Sequence, residues 1–238
     1  MIDDKPPKLN PKGNIRGVNE ALDALKESQP GTHGLVVYPD MPTIRAIYSL
    51  YSRILLEDSN EIVLILPYYE TTDMVRLVLS GKNVYDDNSN NGSFVGYSGV
   101  YVSKYEREGS LIIKDSLIGH FGSHQEQKND YQPSNNNNNK NMDLMAFLNV
   151  LIKHAERRQK DGVTVLSDMG SFYHNNGYDH HTQKLMSYEK TEPTRYVNRK
   201  LKWFCLYHQR DFERRFSQGQ QATLLDYHRR NIMLVNAD

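Results

Sequence analysis

The sequence predicts an α/β fold: a single domain in which a mostly parallel central sheet carries helices on both faces. Apolar, β-branched runs such as GLVVY at 34–38 and EIVLIL at 61–66 are typical of strands buried on both sides. Between such runs, apolar residues recur at helical spacing. The sheet is predicted to be parallel because the intervening segments are long enough for crossovers, which need a dozen or more residues.

The first half of the chain alternates strand and helix signals. In chain order these are a helix within 15–29, a strand at 34–38, a helix from Asp40 to about 56, a strand at 61–66, a helix from Thr71 or Thr72 to Gly81, and strands at 99–105 and 110–116. Asp40 and Pro42 mark a helix start, because aspartate accepts from exposed backbone amides and proline suits the first turn. Gly81 is a typical helix end.

The second half continues the pattern. Its predicted elements are a helix over about 142–160, a strand at 163–166, a helix at about 179–190, a strand at 203–207, helices from about 211 and over about 220–228, and a strand at 232–235. Residues 1–14 are predicted to be a flexible tail, because they hold almost no large apolar side chains. Polar stretches at about 86–92 and 125–141 are predicted as loop insertions in the domain spanning 30–238.

Charge and cysteine content exclude several classes of protein. The chain has 29 basic and 29 acidic side chains, so no net field favours nucleic acid or an anionic membrane surface. The one cysteine, Cys205, cannot form an internal disulfide. The N-terminal residues lack the apolar segment of a signal peptide, and no stretch has the roughly 18 apolar residues of a spanning helix. We therefore expect a cytoplasmic protein without membrane or nucleic-acid contact.

Short motifs follow one another in a distinctive order along most of the chain. They are GTHGLVVYPD at 31–40, EIVLILPYYET at 61–71, LSDMG at 166–170, SYE at 187–189, FCLYHQRDF at 204–212, and His228 close to the last strand. In order and spacing they resemble the MEDS domain, a family of sensory domains named for methanogens, methylotrophs and a dichloromethane-responsive regulator. The resemblance implies a RecA-like fold, as in RecA and the circadian-clock ATPases, without catalytic loops, and a role in sensing small molecules or signals.

The turn after the first predicted strand lacks the features of a phosphate loop. Such a loop needs GxxxxGK[ST], whose glycines let backbone amides approach the phosphates while the lysine and hydroxyl meet phosphate and Mg²⁺. Here the turn reads YPDMPTI, without glycine or lysine, and Pro39 and Pro42 remove amide donors. Gly81 and Lys82 are followed by Asn83 and lack the first glycine. We therefore expect no ATPase activity and no cofactor.

A ligand pocket is expected at the carboxyl ends of the strands, where open α/β sheets bind their ligands. The candidate residues are Tyr38, Asp40, Tyr68, Asp168 and Glu189. Asp168 has a structural alternative, because an aspartate after a strand can also accept from the amides of a turn. The alternative for Glu189 is an ion pair with Arg195, Arg199 or Lys200.

The resemblance adds His33, Tyr207 and His228 to the expected ligand contacts. For His33 the alternative is a structural role in the turn before the first strand. Cys205 is interpreted as a core residue. Strand alternation places it on the face opposite His208, and an apolar neighbourhood raises the pKa of a thiol.

No metal site is predicted. His174, His180 and His181 lie near Asp179, but adjacent histidines on a helix point about 100° apart and do not converge easily on one ion. The basic run from 195 to 230 has acidic residues interleaved, so it is interpreted as a solvated surface.

These observations together predict a sensory domain without chemistry of its own, which binds a small molecule or a signalling protein and regulates a downstream protein. Two alternatives stay open. One is a protein-interaction module that docks a kinase or transcription regulator without a small ligand. The other is a RecA-like protein that binds nucleotide weakly through a different loop. Self-association into a homo-oligomer is compatible with each of these functions.

Overall fold

The computed structural model describes residues 15–81, 99–121, 144–174, 181–196, 200–228 and 231–236. Within these ranges the structure has seven strands: β1 (Ile15–Arg16), β2 (His33–Tyr38), β3 (Ile62–Leu66), β4 (Leu111–Ile113), β5 (Val163–Asp168), β6 (Leu201–His208) and β7 (Ile232–Val235). They form one sheet in the order β1-β7-β2-β6-β5-β3-β4, and every neighbouring pair is parallel. The predicted α/β fold with a parallel sheet is therefore confirmed.

Helices cover both faces of this sheet, also as predicted. They are α1 (Val18–Lys26), α2 (Met41–Arg53), α3 (Thr72–Leu79), α4 (Val102–Arg107), α5 (Ser116–Phe121), α6 (Leu144–Arg157), α7 (Ser171–His174), α8 (His181–Tyr196), α9 (Gln209–Arg215) and α10 (Gln218–Tyr227). A π-helical turn, Ile54–Asp58, extends α2. Helices α1 to α4 pack on one face, and α5 to α10 pack on the other.

Strand alternation divides the buried side chains between two cores. Val36 of β2 and Phe204 of β6 pack with α1 to α4, whereas Leu35 and Cys205 pack with α6 to α10. Successive side chains of a strand point to opposite faces. The odd-numbered residues of β2 and β6 therefore lie together beneath helices α5 to α10, which we call the second helical layer.

The helix starts follow the predicted capping chemistry. Oδ1 of Asp40 accepts from the Thr43 amide at 2.9 Å at the start of α2. Oγ1 of Thr71 accepts from the Met74 amide at 3.2 Å at the start of α3. Gly81, just beyond α3, has a φ of 74°, a left-handed conformation that favours glycine.

One predicted strand is wrong. The stretch 99–105 alternates valine with small or aromatic residues, but the structure has helix α4 from Val102, with Gly99 and Gly109 at positive φ before and after it. Val102 is buried and Tyr105 packs against the same core, so their spacing is that of a helical face. The sequence interpretation also missed β1, α5 and α7.

Some predictions lie outside the described residues. These are the flexible tail at 1–14 and the loop insertions at about 86–92 and 125–141. Among the helices that the structure describes, none is both long and apolar enough to cross a membrane.

Candidate functional site

The carboxyl edge of the sheet gathers three of the predicted residues. Tyr38 ends β2, Asp168 ends β5, and Tyr68 follows β3 by two positions. The Tyr38 hydroxyl donates to Oδ2 of Asp168 at 3.1 Å, and the Gly170 amide donates to Oδ1 at 2.9 Å. Burial outweighs these hydrogen bonds and raises the pKa of Asp168 to about 7. Asp168 therefore accepts from the amide of a turn, which is the structural alternative predicted for it. It also changes charge close to neutral pH.

Tyr68 stands at the same edge because glycine leaves room for it. A Cβ at Gly170 would lie 2.4 Å from Cδ1 of Tyr68. The Tyr68 ring stacks on the imidazole of His174, with centroids 5.5 Å apart and planes 7° from parallel. This stack fixes the position of His174 at the end of α7.

A pocket of about 560 Å³ adjoins this stack. Its lining residues are Tyr69, His174, His208, Arg210, Asp211, Arg214 and Arg215, and we call it the carboxyl-edge pocket. Five of these seven residues come from the end of β6 and from α9. The volume lies within the roughly 300–1,000 Å³ of small-molecule sites.

A hydrogen-bonded network forms one wall of the carboxyl-edge pocket. Oδ2 of Asp211 accepts from the Tyr69 hydroxyl and lies 2.9 Å from Nε2 of His174. Burial alone would raise the pKa of Asp211, but the bonds from Tyr69 and His174 hold it below its usual value. Burial also raises the pKa of Tyr69, so this hydroxyl keeps its proton and donates.

Arginines line another part of the pocket. Arg210, Arg214 and Arg215 are exposed, and none of their guanidinium groups forms an ion pair with a described residue. Arg210 and Arg214 are four residues apart, so they lie on the same face of α9. These three cations of the basic run are solvated, as predicted, and they also border a pocket. Lys202 of the same run is buried and binds Glu61, so the prediction of a solvated surface is wrong at that residue.

Asp40 has a structural role, and the neighbouring Glu70 has one too. Asp40 caps α2 and does not line the carboxyl-edge pocket. Glu70 binds Arg45 at 2.9 Å and accepts from the Tyr48 hydroxyl at 2.7 Å. The carboxylates of Asp40 and Glu70 are therefore already engaged within the fold.

The remaining four predicted residues gather elsewhere, under the second helical layer and around the carboxylate of Glu189. They are His33, Glu189, Tyr207 and His228. The prediction that Glu189 borders the carboxyl-edge pocket is wrong, because its carboxylate contacts His33, the first residue of β2. Its described ion-pair partners are His33 and His228 rather than Lys200, and the side chains of Arg195 and Arg199 are outside the described set.

Four side chains with metal-ligating atoms meet there. They are His33 at the start of β2, Glu189 on α8, Cys205 on β6 and His228 just after α10, and we call them the buried quartet. One ligand atom from each lies within 4.8 Å of the other three. The side chains of Glu189 and His228 are 0 % exposed, that of His33 is 12 % exposed, and Cys205 is fully buried.

Two neighbours orient the buried quartet. The Tyr207 hydroxyl donates to Oε1 of Glu189 at 2.5 Å. Nδ1 of His228 lies 2.8 Å from the Leu224 carbonyl oxygen and donates to it, because a carbonyl can only accept. Although burial opposes it, the charges and hydrogen bonds of His228 and His33 hold the pKa of Glu189 well below its usual value.

Sequence reasoning treated Cys205 only as a core residue. It is buried, and loss of solvation together with the Glu189 charge raises the pKa of its thiol, so it is not an activated nucleophile. Its histidine neighbour is His33, with Nε2 3.2 Å from Sγ, and not His208. Residues 205 and 207 lie on the same face of β6. This alternation was the sequence signal that could have placed Cys205 beside the predicted contact Tyr207.

The other histidine cluster is only partly described. Asp179, His180 and the side chain of His181 lie outside the described part of the chain. His174 bonds Asp211 in the carboxyl-edge pocket, so the structure assigns it to the polar wall of that pocket.

Comparison of the chain with models of protein families, with curated proteins and with solved structures finds no match.

Proposed function

We propose that this chain is a sensory domain that binds a small anionic molecule in the carboxyl-edge pocket and passes the binding event to a partner protein. The observation that carries this proposal is a set of three arginines, without ion-pair partners among the described residues, around one pocket of small-molecule size. The resemblance to the MEDS domain family supports a sensory role.

The location supports ligand binding. In open parallel α/β sheets, ligands bind beyond the carboxyl ends of the strands, where loops and helix starts leave a crevice. The carboxyl-edge pocket lies there, next to the ends of β2, β5 and β6. Tyr38, which binds Asp168, packs edge-on against His208 of the pocket lining, with ring centroids 5.4 Å apart.

The charge of the lining selects an anion. Three guanidinium groups face one carboxylate, that of Asp211, and this carboxylate is held by Tyr69 and His174. Guanidinium groups bind carboxylates and phosphates through two parallel hydrogen bonds. A carboxylic acid or a phosphate ester is therefore the expected ligand class.

The same site lacks the machinery for splitting a nucleoside triphosphate. The turn from β2 to α2 contains no glycine, its Asp40 caps the helix, and Pro42 removes an amide donor. Burial gives Asp168 a pKa of about 7, so it is a weaker magnesium ligand at neutral pH than an ordinary aspartate. We therefore propose binding without hydrolysis.

A route for the signal starts at α9. This helix carries the three pocket arginines and also Phe212, which is fully buried in the second core. A ligand that draws Arg210 and Arg214 together would fix the position of α9 and of Phe212. The change would reach a partner protein through the second helical layer.

Calorimetric titration of the full chain tests this function. The ligand panel pairs dicarboxylates and phosphate monoesters with neutral amide or alcohol analogues, and includes ATP with Mg²⁺. We expect binding of one anionic class only. Arg214→Gln should weaken it about 10- to 100-fold, as loss of a charge-assisted hydrogen bond predicts.

Arg157→Gln is the matched control, because Arg157 is an exposed arginine in the last turn of α6, on another helix. It should bind as the unmodified chain does. Equal binding of neutral analogues, equal weakening by both substitutions, or ATP turnover would each contradict the proposed function.

A further inference from the structure

We propose that the buried quartet binds one divalent transition-metal ion, and that zinc is the ion it suits best. The quartet is separate from the carboxyl-edge pocket, and it shares no residue with that pocket. Metal binding here goes beyond the function proposed above and does not depend on it.

The donor atoms are those that zinc prefers. The buried quartet offers two imidazole nitrogens, one cysteine sulfur and one carboxylate oxygen. Zinc is bound in proteins by these three ligand types, usually four at a time. Magnesium and calcium prefer oxygen ligands alone, so the nitrogen and sulfur donors favour a transition metal.

The separations between the donor atoms fit a tetrahedron. Zinc bonds of about 2.0–2.3 Å place the corners of a tetrahedron about 3.3–3.8 Å apart. Nε2 of His33 lies 3.1 Å from Oε2 of Glu189, 3.1 Å from Nε2 of His228 and 3.2 Å from Sγ of Cys205. Oε2 of Glu189 lies 3.4 Å from Nε2 of His228 and 3.6 Å from Sγ of Cys205. The sixth separation, between Nε2 of His228 and Sγ of Cys205, is at most 4.8 Å. Small shifts of the side chains would bring all four donors to bonding distance from a central ion.

Hydrogen bonds alone leave the buried quartet poorly satisfied. Nε2 of His33 has polar atoms of all three other members within 3.2 Å. A ring nitrogen carries either one hydrogen or one lone pair, so it makes one good hydrogen bond and not three. A central cation would attract all four donors at once and would neutralise the buried carboxylate of Glu189, which is costly to bury without a counter-charge.

The neighbours leave the correct atoms for an ion. Because Nδ1 of His228 donates to the Leu224 carbonyl, its Nε2 is the ring nitrogen that faces the other three side chains and that would bind an ion through its lone pair. Tyr207 occupies Oε1 of Glu189, so Oε2 is the oxygen that faces them. Hydrogen bonds of this kind orient metal ligands and tune their affinity.

The surroundings indicate a structural or regulatory ion. Four protein donors complete a tetrahedron, so no position remains for the water that a hydrolytic zinc site activates. The ligands come from β2, α8, β6 and the end of α10, so an ion would tie two helices of the second layer to the sheet. Binding energy at such a site contributes to folding.

Cobalt titration of the full chain tests this site. Metal is first removed with a chelator, and Co²⁺ is then added while the absorption spectrum is recorded. We expect one equivalent to bind, with the visible bands of tetrahedral cobalt and a thiolate-to-cobalt charge-transfer band, and Zn²⁺ to displace it. The chain has one cysteine, so the charge-transfer band identifies Cys205 without any substitution.

Variants separate a metal site from a merely structural cluster. Cys205→Ser should abolish the charge-transfer band, and Tyr207→Phe should weaken cobalt binding about 10- to 100-fold. His174→Asn alters the other described histidine–carboxylate contact and should leave both unchanged. Circular dichroism checks that each variant is folded. If Cys205→Ser does not fold, the comparison between the unmodified chain and the Tyr207→Phe variant decides the question.

Three results would overturn the metal site. They are a folded chain that takes up no cobalt, cobalt binding without the charge-transfer band, and equal loss of binding in His174→Asn.

Discussion

The carboxyl-edge pocket and the buried quartet share strand β6 but handle charge in opposite ways. The pocket uses the end of β6 and α9, the helix that follows β6. The quartet uses β2, β6 and α8, the helix that precedes β6. The pocket leaves three guanidinium groups in contact with water, whereas the quartet holds a carboxylate that is 0 % exposed. Water screens charge at the open edge, while a buried charge must find an internal partner. The open edge therefore suits an exchangeable anion, and the closed cluster suits a cation that stays.

The largest expected effect separates the two regions by their response to zinc. At about a thousandfold excess over its dissociation constant, Zn²⁺ should raise the free energy of unfolding of the metal-free chain by about 4 kcal/mol. Urea unfolding with and without Zn²⁺ measures this gain. Asp211→Asn in the carboxyl-edge pocket should keep it, and Cys205→Ser should lose most of it. An equal gain in Cys205→Ser would place the ion elsewhere.

The next effect concerns pH and belongs to the carboxyl edge. Burial raises the pKa of Asp168 from 3.8 to about 7, so the folded chain binds this proton more tightly than the unfolded chain. The associated stability is present below about pH 4 and is lost as the pH rises through about 7. A rise of this size corresponds to roughly 4 kcal/mol at most.

Asp168→Asn removes this titration while keeping the shape of the side chain. The variant should be more stable than the unmodified chain by roughly 1–2 kcal/mol near pH 5 and by roughly 4 kcal/mol near pH 8.5, because Asp168 of the unfolded chain already ionises above about pH 4. Urea unfolding at both pH values is the measurement. Asp23→Asn, at a residue whose side chain is 71 % exposed, is the control and should show no such difference. A constant difference between Asp168→Asn and the unmodified chain at both pH values would contradict the role of burial.

A smaller effect tests the packing that shapes the carboxyl-edge pocket. Gly170→Ala would place a Cβ 2.4 Å from Cδ1 of Tyr68 and 3.1 Å from Cε2 of Tyr69. We expect a loss of about 1–3 kcal/mol in unfolding free energy and weaker anion binding, because Tyr68 must leave its stack on His174. Gly219→Ala meets no atom within 4 Å, so it should be neutral or slightly stabilising. Equal stability of the two variants in urea would refute the close approach.

The smallest effect is a difference in salt dependence. Charges at the carboxyl edge are exposed, and the Debye length falls from about 10 Å at 0.1 M salt to about 3 Å at 1 M. Anion affinity should therefore fall several-fold over this range, measured by calorimetry in sodium chloride. Cobalt affinity of the buried quartet should change less, because buried groups are screened little. An anion affinity that does not depend on salt would argue against recognition by the three arginines.

Local sequence signals were sufficient for most of the fold. The runs at 34–38, 61–66 and 232–235 are strands, because their apolar residues are buried in a parallel sheet. Two-residue β1 carries too few side chains for such a signal. Helix α4 was mistaken for a strand because its short sequence is rich in β-branched and aromatic residues, whose strand preference packing overrode.

The two regions differ in how far sequence could predict them. The rule that parallel sheets bind ligands at their carboxyl ends predicted the edge at which Tyr38, Tyr68 and Asp168 lie, but none of these three residues lines the carboxyl-edge pocket. The pocket arginines were recognised only as a solvated surface, since nothing in the sequence shows that α9 borders a cavity. Residues 33, 189, 205 and 228 have no local spacing that marks a shared site.

Tertiary register explains why the buried quartet converges. The pairing of β2 with β6 sets Leu35 beside Cys205, and so brings His33 near the thiol on the same face. Helices α8 and α10 then supply Glu189 and His228 from above. Such convergence depends on the order of strands in the sheet, which single-sequence patterns do not specify. The resemblance to the MEDS domain family predicted His33 and His228, and the rule for parallel sheets predicted Glu189, but as ligand contacts, while Cys205 was interpreted as a core residue.

X-ray diffraction at the zinc absorption edge, on crystals grown with the anionic ligand and one equivalent of Zn²⁺, tests the contrast between the two regions most directly. We predict a single anomalous peak among Nε2 of His33, Oε2 of Glu189, Sγ of Cys205 and Nε2 of His228, and ligand density without a metal at the arginines of α9. A peak between His174 and Asp211, or no peak at the buried quartet, would contradict this assignment of the cation to the buried quartet and of the anion to the carboxyl-edge pocket.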